Sequence, residues 1–468
     1  MGNDFAIKDF PKDWTLTTLG EMLDQCNGSV QTGPFGSQLH ASDYVEVGIP
    51  SVMPKNITIE DIDESDIARI SIHDAQRLSK YLLDEGDIVY SRRGDVEKCA
   101  LVTVSQIGWL CGTGCLRIRL GDDAPISPSY LHAYLSSPAM REWISRNAIG
   151  ATMPNLNTSI LRDVPLLIPV NENVKFVENI WNCVNTKLRL NKKTNQTLEH
   201  MAQALFKSWF VDFDPVIDNA LAAGNDIPEA LQHKAEQRKH AQQLPDFNPL
   251  PDNIRALFPS EFEQTNEPNI GIFGWIPKGW SAGSLSSLAN FTSNRIDGTE
   301  LTRDNYISTD NMLSNKGGVS TASKVPDIKT TPSFKPGDIL ISNIRPYFQK
   351  IWFATFSGGR SNDVLGFEAI DEQCKEYLLN LLYQDVFFDY MMTTSKGSKM
   401  PRGDKKAIMD WPVVIPPSSL QKFFSEHVKN YYQVIPIRNK ESEALSMLRD
   451  TLLPKLISGE LPLNKDVE

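Results

Sequence analysis

The hydrophobic pattern has one long regular passage in each half of the chain. Counting back from Trp209, the residues Leu205, Ala202, Leu198, Asn195, Asn191, Leu188, Val184, Trp181, Val177 and Val174 alternate spacings of three and four. These are the a and d positions of a heptad seam with two polar interruptions. The same spacing returns 247 residues later at Leu452, Arg449, Leu445, Ser442, Arg438, Ile435, Tyr431, Val428, Phe424 and Gln421. The pattern predicts one helix over 174–209, stopped by Pro215, and a second over 419–458, bent at Pro436.

Ahead of each seam the pattern changes to short β-rich or alternating runs punctuated by turns, such as Ile88-Val89-Tyr90 after Asp84-Glu85-Gly86-Asp87, and Leu116 to Leu120. A helical stretch over 128–147, parted just before Pro138, presents Leu131, Tyr134, Leu135 and Trp143 for burial. These runs are also duplicated. Gly86-Asp87-Ile88 returns as Gly337-Asp338-Ile339, Met153-Pro154 as Met400-Pro401, and Asp163 with Pro165 as Asp410 with Pro412. The chain therefore reads as a tandem of two globule-plus-helix units.

The boundaries that follow are a first domain at 1–170, a first long helix at 171–213, a central connection at 214–273, a second domain at 274–417, and a second helix with a tail at 418–468. The connection is acidic and rich in proline, with a short helix expected around 220–242, and is too long for a tight turn. The expected fold is α+β: two tandem-repeated α/β domains joined by two long antiparallel coiled-coil helices in a pseudo-twofold arrangement.

At 468 residues and 41% hydrophobic, the chain is long enough for two cores. No apolar run approaches the roughly 18 residues a membrane span needs, so no membrane partner and a cytoplasmic location are expected. Six cysteines without paired spacing predict reduced, buried thiols rather than a disulfide framework. The net charge of −11 argues at first against a polyanionic partner, but the acidic residues concentrate in the central connection. Elsewhere Lys396, Lys399, Arg402, Lys405 and Lys406 crowd one loop, and Lys187, Arg189, Lys192, Lys193 and Lys207 line the first helix.

Catalytic patterns are missing. The sequence has no Gly-x4-Gly-Lys-Ser/Thr loop, no His-Glu-x-x-His, no Gly-x-Ser-x-Gly, and no Asn-Pro-Pro-aromatic tetrapeptide of an amino-methyltransferase. The chain is expected to be non-catalytic, to bind no metal and to hold no cofactor of its own.

Several passages match a family in order along nearly the whole chain: TGPFGSQLHASDYV at 32–45, GDIVYSRRGD at 86–95, LFKSWFVDFDPV at 205–216, LFPSEFE at 257–263, GWIPKGW at 274–280 and LLPKLISGEL at 452–461. Together they resemble the specificity subunits of type I restriction-modification systems. The resemblance implies two target-recognition domains on double-stranded DNA, each reading one half of a split target. It also implies helices that dock modification subunits, two being expected, and restriction or translocase subunits reached through the complex. S-adenosylmethionine, ATP and Mg are then expected on the partner subunits. A helix over 174–209 is roughly 54 Å long, against about 34–36 Å between half-sites one DNA turn apart. The competing reading from the seam alone is a coiled-coil adaptor that binds only protein.

Base reading calls for Arg or Lys against guanine and Asn or Gln against adenine on irregular stretches. The candidates are Gln38, Lys55, Arg92, Arg93 and Asn155 in the first domain, and Arg345, Lys396, Lys399 and Arg402 in the second. For helix pairing and subunit docking the candidates are Leu188, Leu198, Leu205, Trp209, Leu445, Leu452 and Leu456.

Overall fold

The computed structural model describes residues 10–58, 61–150, 153–397 and 399–461, with the backbone alone at 171 and 172. The ends of the first domain and of the C-terminal tail, at 1–9 and 462–468, lie outside the described residues. Two compact units emerge, one formed by residues 1–193 with 438–468 and the other by Thr194–Ile437. Each therefore combines a globule with a segment of each long helix.

In the first unit a four-stranded antiparallel sheet runs in the order Ser29–Thr32, Cys115–Arg119, Ile88–Ser91, Cys99–Leu101. Its side chains alternate, so Ile88, Tyr90, Leu116 and Ile118 enter one core cluster while Val89, Ala100 and Cys115 enter another. Both faces are covered, which explains the unbroken apolar run at 88–90. Two helices, Pro128–Ser136 and Pro138–Asn147, cover the first face. Each opens on a serine whose hydroxyl accepts a backbone N–H, Ser127 from Tyr130 and Ser137 from Met140, and each carries Pro at its start. A smaller sheet follows the order Tyr44–Val45, Ala68–Ile70, Ile49–Val52, Leu110–Cys111, the last pair parallel.

The second unit repeats the main sheet as Ala289–Phe291, Val364–Ala369, Ile339–Ser342, Ile351–Phe353. Both units also carry an antiparallel pair that closes the globule before its helix, Thr15–Thr18 with Pro165–Ile168 and Ser281–Ser284 with Pro412–Ile415. The smaller sheets differ. In the second unit the order is Arg295–Asp297, Thr330–Phe334, Gly358–Arg360, Tyr306–Ile307, with the later strand inside and the earlier one at the edge of the parallel pair.

The first long helix spans Asn171–Phe206 and continues as a π-helical turn over Lys207–Val211, where the Asp212 N–H donates to the Lys207 carbonyl at 2.8 Å. It ends two residues before Phe213, which takes a left-handed φ of 59°. The second helix, Ser418–Ile457, runs through Pro436 and Pro454. Within the first unit, Val174, Val177 and Trp181 share a core with Leu453, Leu456 and Ile457. Asn191 forms a polar layer there: its Nδ2 donates to Glu441 at 2.8 Å, and its Oδ1 accepts from Arg438 at 3.1 Å. Within the second unit, Ala202 and Trp209 share a core with Leu420, Phe424 and Val428. Leu188 is buried, whereas Leu198, Leu205, Leu445 and Leu452 are half-buried.

Two expectations are corrected, and two aromatic residues outside the expected seam are also buried. Phe206 and Phe210, off the a and d seam, are buried against Tyr377 and Phe424, because the π-turn widens the inward face of the helix. The expected helix at 220–242 is two, Asp214–Ala223 and Gln232–Ala241, since Gly224 in a left-handed conformation caps the first and Pro228 keeps the second from starting earlier. Five cysteines are buried and free, but Cys183 is exposed on the outer side of the first helix. No helix among the described residues is long and apolar enough to cross a membrane.

Candidate nucleic-acid interface

In the first unit the central strand Ile88–Ser91 leaves the core and runs straight into Arg92-Arg93-Gly94. That exit pairs with residues 153–156. The Leu156 N–H donates to the Arg92 carbonyl at 2.9 Å, and the Gly94 N–H to the Pro154 carbonyl at 3.3 Å. Asn155 and Ile149 exchange both backbone bonds, at 2.9 and 3.0 Å. Gly150 between them has φ 113°, and a Cβ there would fall 2.7 Å from the Met153 carbonyl oxygen, so glycine is required.

The second unit builds the same ladder from different side chains. Ile339–Ser342 exits into Asn343-Ile344-Arg345; the Gly403 N–H donates to the Asn343 carbonyl at 3.2 Å and the Arg345 N–H to the Pro401 carbonyl at 2.8 Å. Arg402 and Lys396 exchange both backbone bonds, at 3.0 and 2.9 Å, around Gly397 with φ 97°. The serine that ends each strand turns its hydroxyl to the same place, Ser91 to the Arg93 carbonyl at 2.9 Å and Ser342 to the Ile344 carbonyl at 3.1 Å. Asn155 and Arg402 are thus equivalent, as are Ile149 and Lys396, and Gly94 and Arg345.

The structure brings Arg92, Arg93 and Asn155 together on one ladder and Arg345, Lys396 and Arg402 on the other, with Lys399 exposed beside it. Their electrostatic states differ. Arg402 lies 3.1 Å from Asp363, and Lys396 is paired with Asp404, whose carboxyl is held below its usual range chiefly by that lysine. Arg93, Arg345 and Lys399 are exposed and make no ion pair among the described residues. Arg92 Nε, Asn155 Oδ1 and Asn343 Oδ1 are buried without a hydrogen-bond partner, so both ladders keep unspent bonding capacity.

Two candidates stand apart. Gln38 is tied into its own loop, its side-chain oxygen accepting from Tyr81 Oη at 2.8 Å and from the Phe35 N–H at 3.2 Å. Lys55 sits on the short turn Pro54–Asn56, paired with Asp66. The equivalence of Gly94 and Arg345 was missed from the sequence alone. The repeated Gly-Asp-Ile turn was the available signal, since it sets the two positions against each other.

At the start of each central strand the same turn carries a buried aspartate. Asp87 accepts the Asp84 N–H at 2.8 Å and is gripped by Arg119 at 2.7 and 2.6 Å. Asp338 accepts the Lys335 N–H at 2.9 Å without an arginine clamp, and burial raises its carboxyl above the usual range. On the helical side His132 is buried; its Nδ1 accepts from Trp181 Nε1 at 3.3 Å, its Nε2 lies 3.3 Å from the Cys99 carbonyl, and burial lowers it to about 4. The ring is neutral at physiological pH and fastens the helical segment to the globule.

Residues 11–200 match the family model described as a type I restriction modification DNA specificity domain. The chain is 23% identical over 415 residues to the type I restriction enzyme HindI specificity subunit of Haemophilus influenzae, covering 84% of this chain and 90% of the relative. It is 20% identical over 460 residues to the MjaIX specificity subunit of Methanocaldococcus jannaschii, covering 97% and 95%. Among solved structures it is similar to the S subunit of a type I restriction-modification system from M. genitalium, with a TM-score of 0.47, 14% identity and 96% of each chain covered. The specificity-domain model thus matches the first part of the chain, and named type I specificity subunits align along most of its length.

Proposed function

We propose that this chain reads a bipartite target on double-stranded DNA, one recognition domain per half-site, as the non-catalytic component of an intracellular type I complex. Two modification subunits dock on its helical segments, and restriction subunits join through them. S-adenosylmethionine, ATP and Mg act on those partners. The observation that carries this reading is the duplicated ladder: two globules of one chain present the same strand exit, and each exit carries arginine and asparagine side chains, with Arg92 matched by Asn343 and Asn155 by Arg402. Such groups serve both phosphate positioning and base readout.

The acidic balance, pI about 5.3, goes with weak binding by the chain alone. Phosphate contacts supply most of the affinity of a DNA reader and make it fall with salt. The test is to map methylated sites on DNA exposed to the chain with its modification subunits, and to measure binding by the chain alone at physiological salt. A split methylated sequence that needs both components is expected. Tight, sequence-specific binding by the chain alone, or methylation without a split target, would overturn the reading.

A further inference from the structure

The two ladders share a backbone and differ at one position in a way that costs the second unit conformational freedom. Gly94 has φ 78°, where glycine is at ease. Its counterpart Arg345 has φ 51°, in the left-handed region that L side chains rarely adopt. Arg345 is also followed by Pro346, and a residue before proline is driven toward extended conformations. Two restrictions thus act against this backbone at once. It is held by the Arg345 N–H bonded to Pro401 and by the Phe348 N–H, which donates to the Arg345 carbonyl at 3.0 Å. Space does not explain the choice, because a Cβ at Gly94 would meet nothing within 4 Å. Nor does the guanidinium stabilise the fold: it is exposed and makes no ion pair or hydrogen bond among the described residues, unlike Arg402 and Lys396 beside it. Residues kept in sparsely populated conformations by their surroundings concentrate at functional positions.

We infer that Arg345 is a specificity-determining residue of the second recognition domain, its guanidinium fork reading one guanine of that half-site. This rests on the DNA-reading function proposed above. The fork suits the O6 and N7 acceptors of guanine in the major groove. The strained backbone aims it from a rigid strand exit rather than from a long loop.

The test uses the assembled complex of the full chain with its modification subunits, reading methylated sites by sequencing. Arg345→Gly is expected to lower discrimination at one base pair of one half-site by roughly 5- to 150-fold. The other half-site, the spacer and the salt dependence should stay as they were, and the Tm of the isolated chain should not fall. Arg345→Lys keeps the charge but not the fork and is expected to relax the same base pair. An unchanged methylated sequence with uniformly weaker binding and a salt slope shallower by about one would make Arg345 a phosphate contact and overturn the inference. Full discrimination by Arg345→Lys, or a fall in Tm with general loss of binding, would overturn it too. If the wild-type complex methylates no split sequence, the functional reading fails first and the inference fails with it.

Discussion

The two globules agree in their main sheets and closing strand pairs and differ in their smaller sheets and in one residue of the ladder. Their main sheets have the same strand order, their closing strand pairs the same register, and their Gly-Asp turns the same N–H to carboxylate bond. Their smaller sheets are threaded differently, and the residue at the ladder's left-handed position is glycine in one and arginine in the other. A shared frame with divergent smaller sheets suits the proposed reading of two unlike half-sites.

The largest test of this comparison is exchange. Replacing residues 13–150 with the corresponding domain of a relative should change one whole half of the methylated target and leave the other half intact, as sequencing of methylated sites would show. A simultaneous change in both halves would dissolve the distinction between frame and reader.

A second test separates the two turn aspartates. Asp87→Ala leaves Arg119 without its buried partner and is expected to cost about 3 kcal/mol in denaturant unfolding. Asp338→Asn should lie within about 1 kcal/mol of wild type, because Asp338 has no arginine clamp and burial already disfavours its charge. The sign with pH follows. The folded carboxyl of Asp338 titrates above its ordinary value, so the native state binds more protons, and stability falls as pH rises through that range. Asn at 338 should remove this slope.

A third and smaller effect belongs to the second unit. Burial pushes Glu199 up to about 7, beside Tyr383 and Tyr432. Between its ordinary value and about 7 the native state again holds the extra proton, so thermal stability should decline from pH 5 to pH 7 and level off above that. Glu199→Gln should flatten that decline. The smallest expected change is Arg402→Ala. With its guanidinium already shared with Asp363, it should weaken DNA binding evenly across sequences and reduce the salt slope by about one, as a phosphate contact does.

Much of the frame was legible in the sequence because burial imposes periods. The three-four spacing from Val174 to Trp209 marked a helix, and Pro128 and Pro138 marked two starts, since proline at the first turn has a local cause. Phe206 and Phe210 escaped because a π-turn is not written in a heptad count. The ladders escaped for another reason. Arg93 meets Asn155, and Ile344 meets Arg402, only when a strand exit and a distant turn are brought together by the folded sheet. The site candidates were therefore chosen by residue type, without regard to local ties such as the one that engages the side-chain oxygen of Gln38 with Tyr81.

Cys183 has a practical consequence. Burial pushes the thiols of Cys99 and Cys374 up to about 11 and that of Cys111 to about 12, and Cys26 and Cys115 are also enclosed. Maleimides and spin-label reagents need an accessible thiolate, so alkylation should stop at a single adduct per native chain. The wild-type protein thus carries its own labelling point on the first long helix, needing no cysteine-free background. A fluorophore placed there would report, through anisotropy and quenching, when a partner settles on that helix.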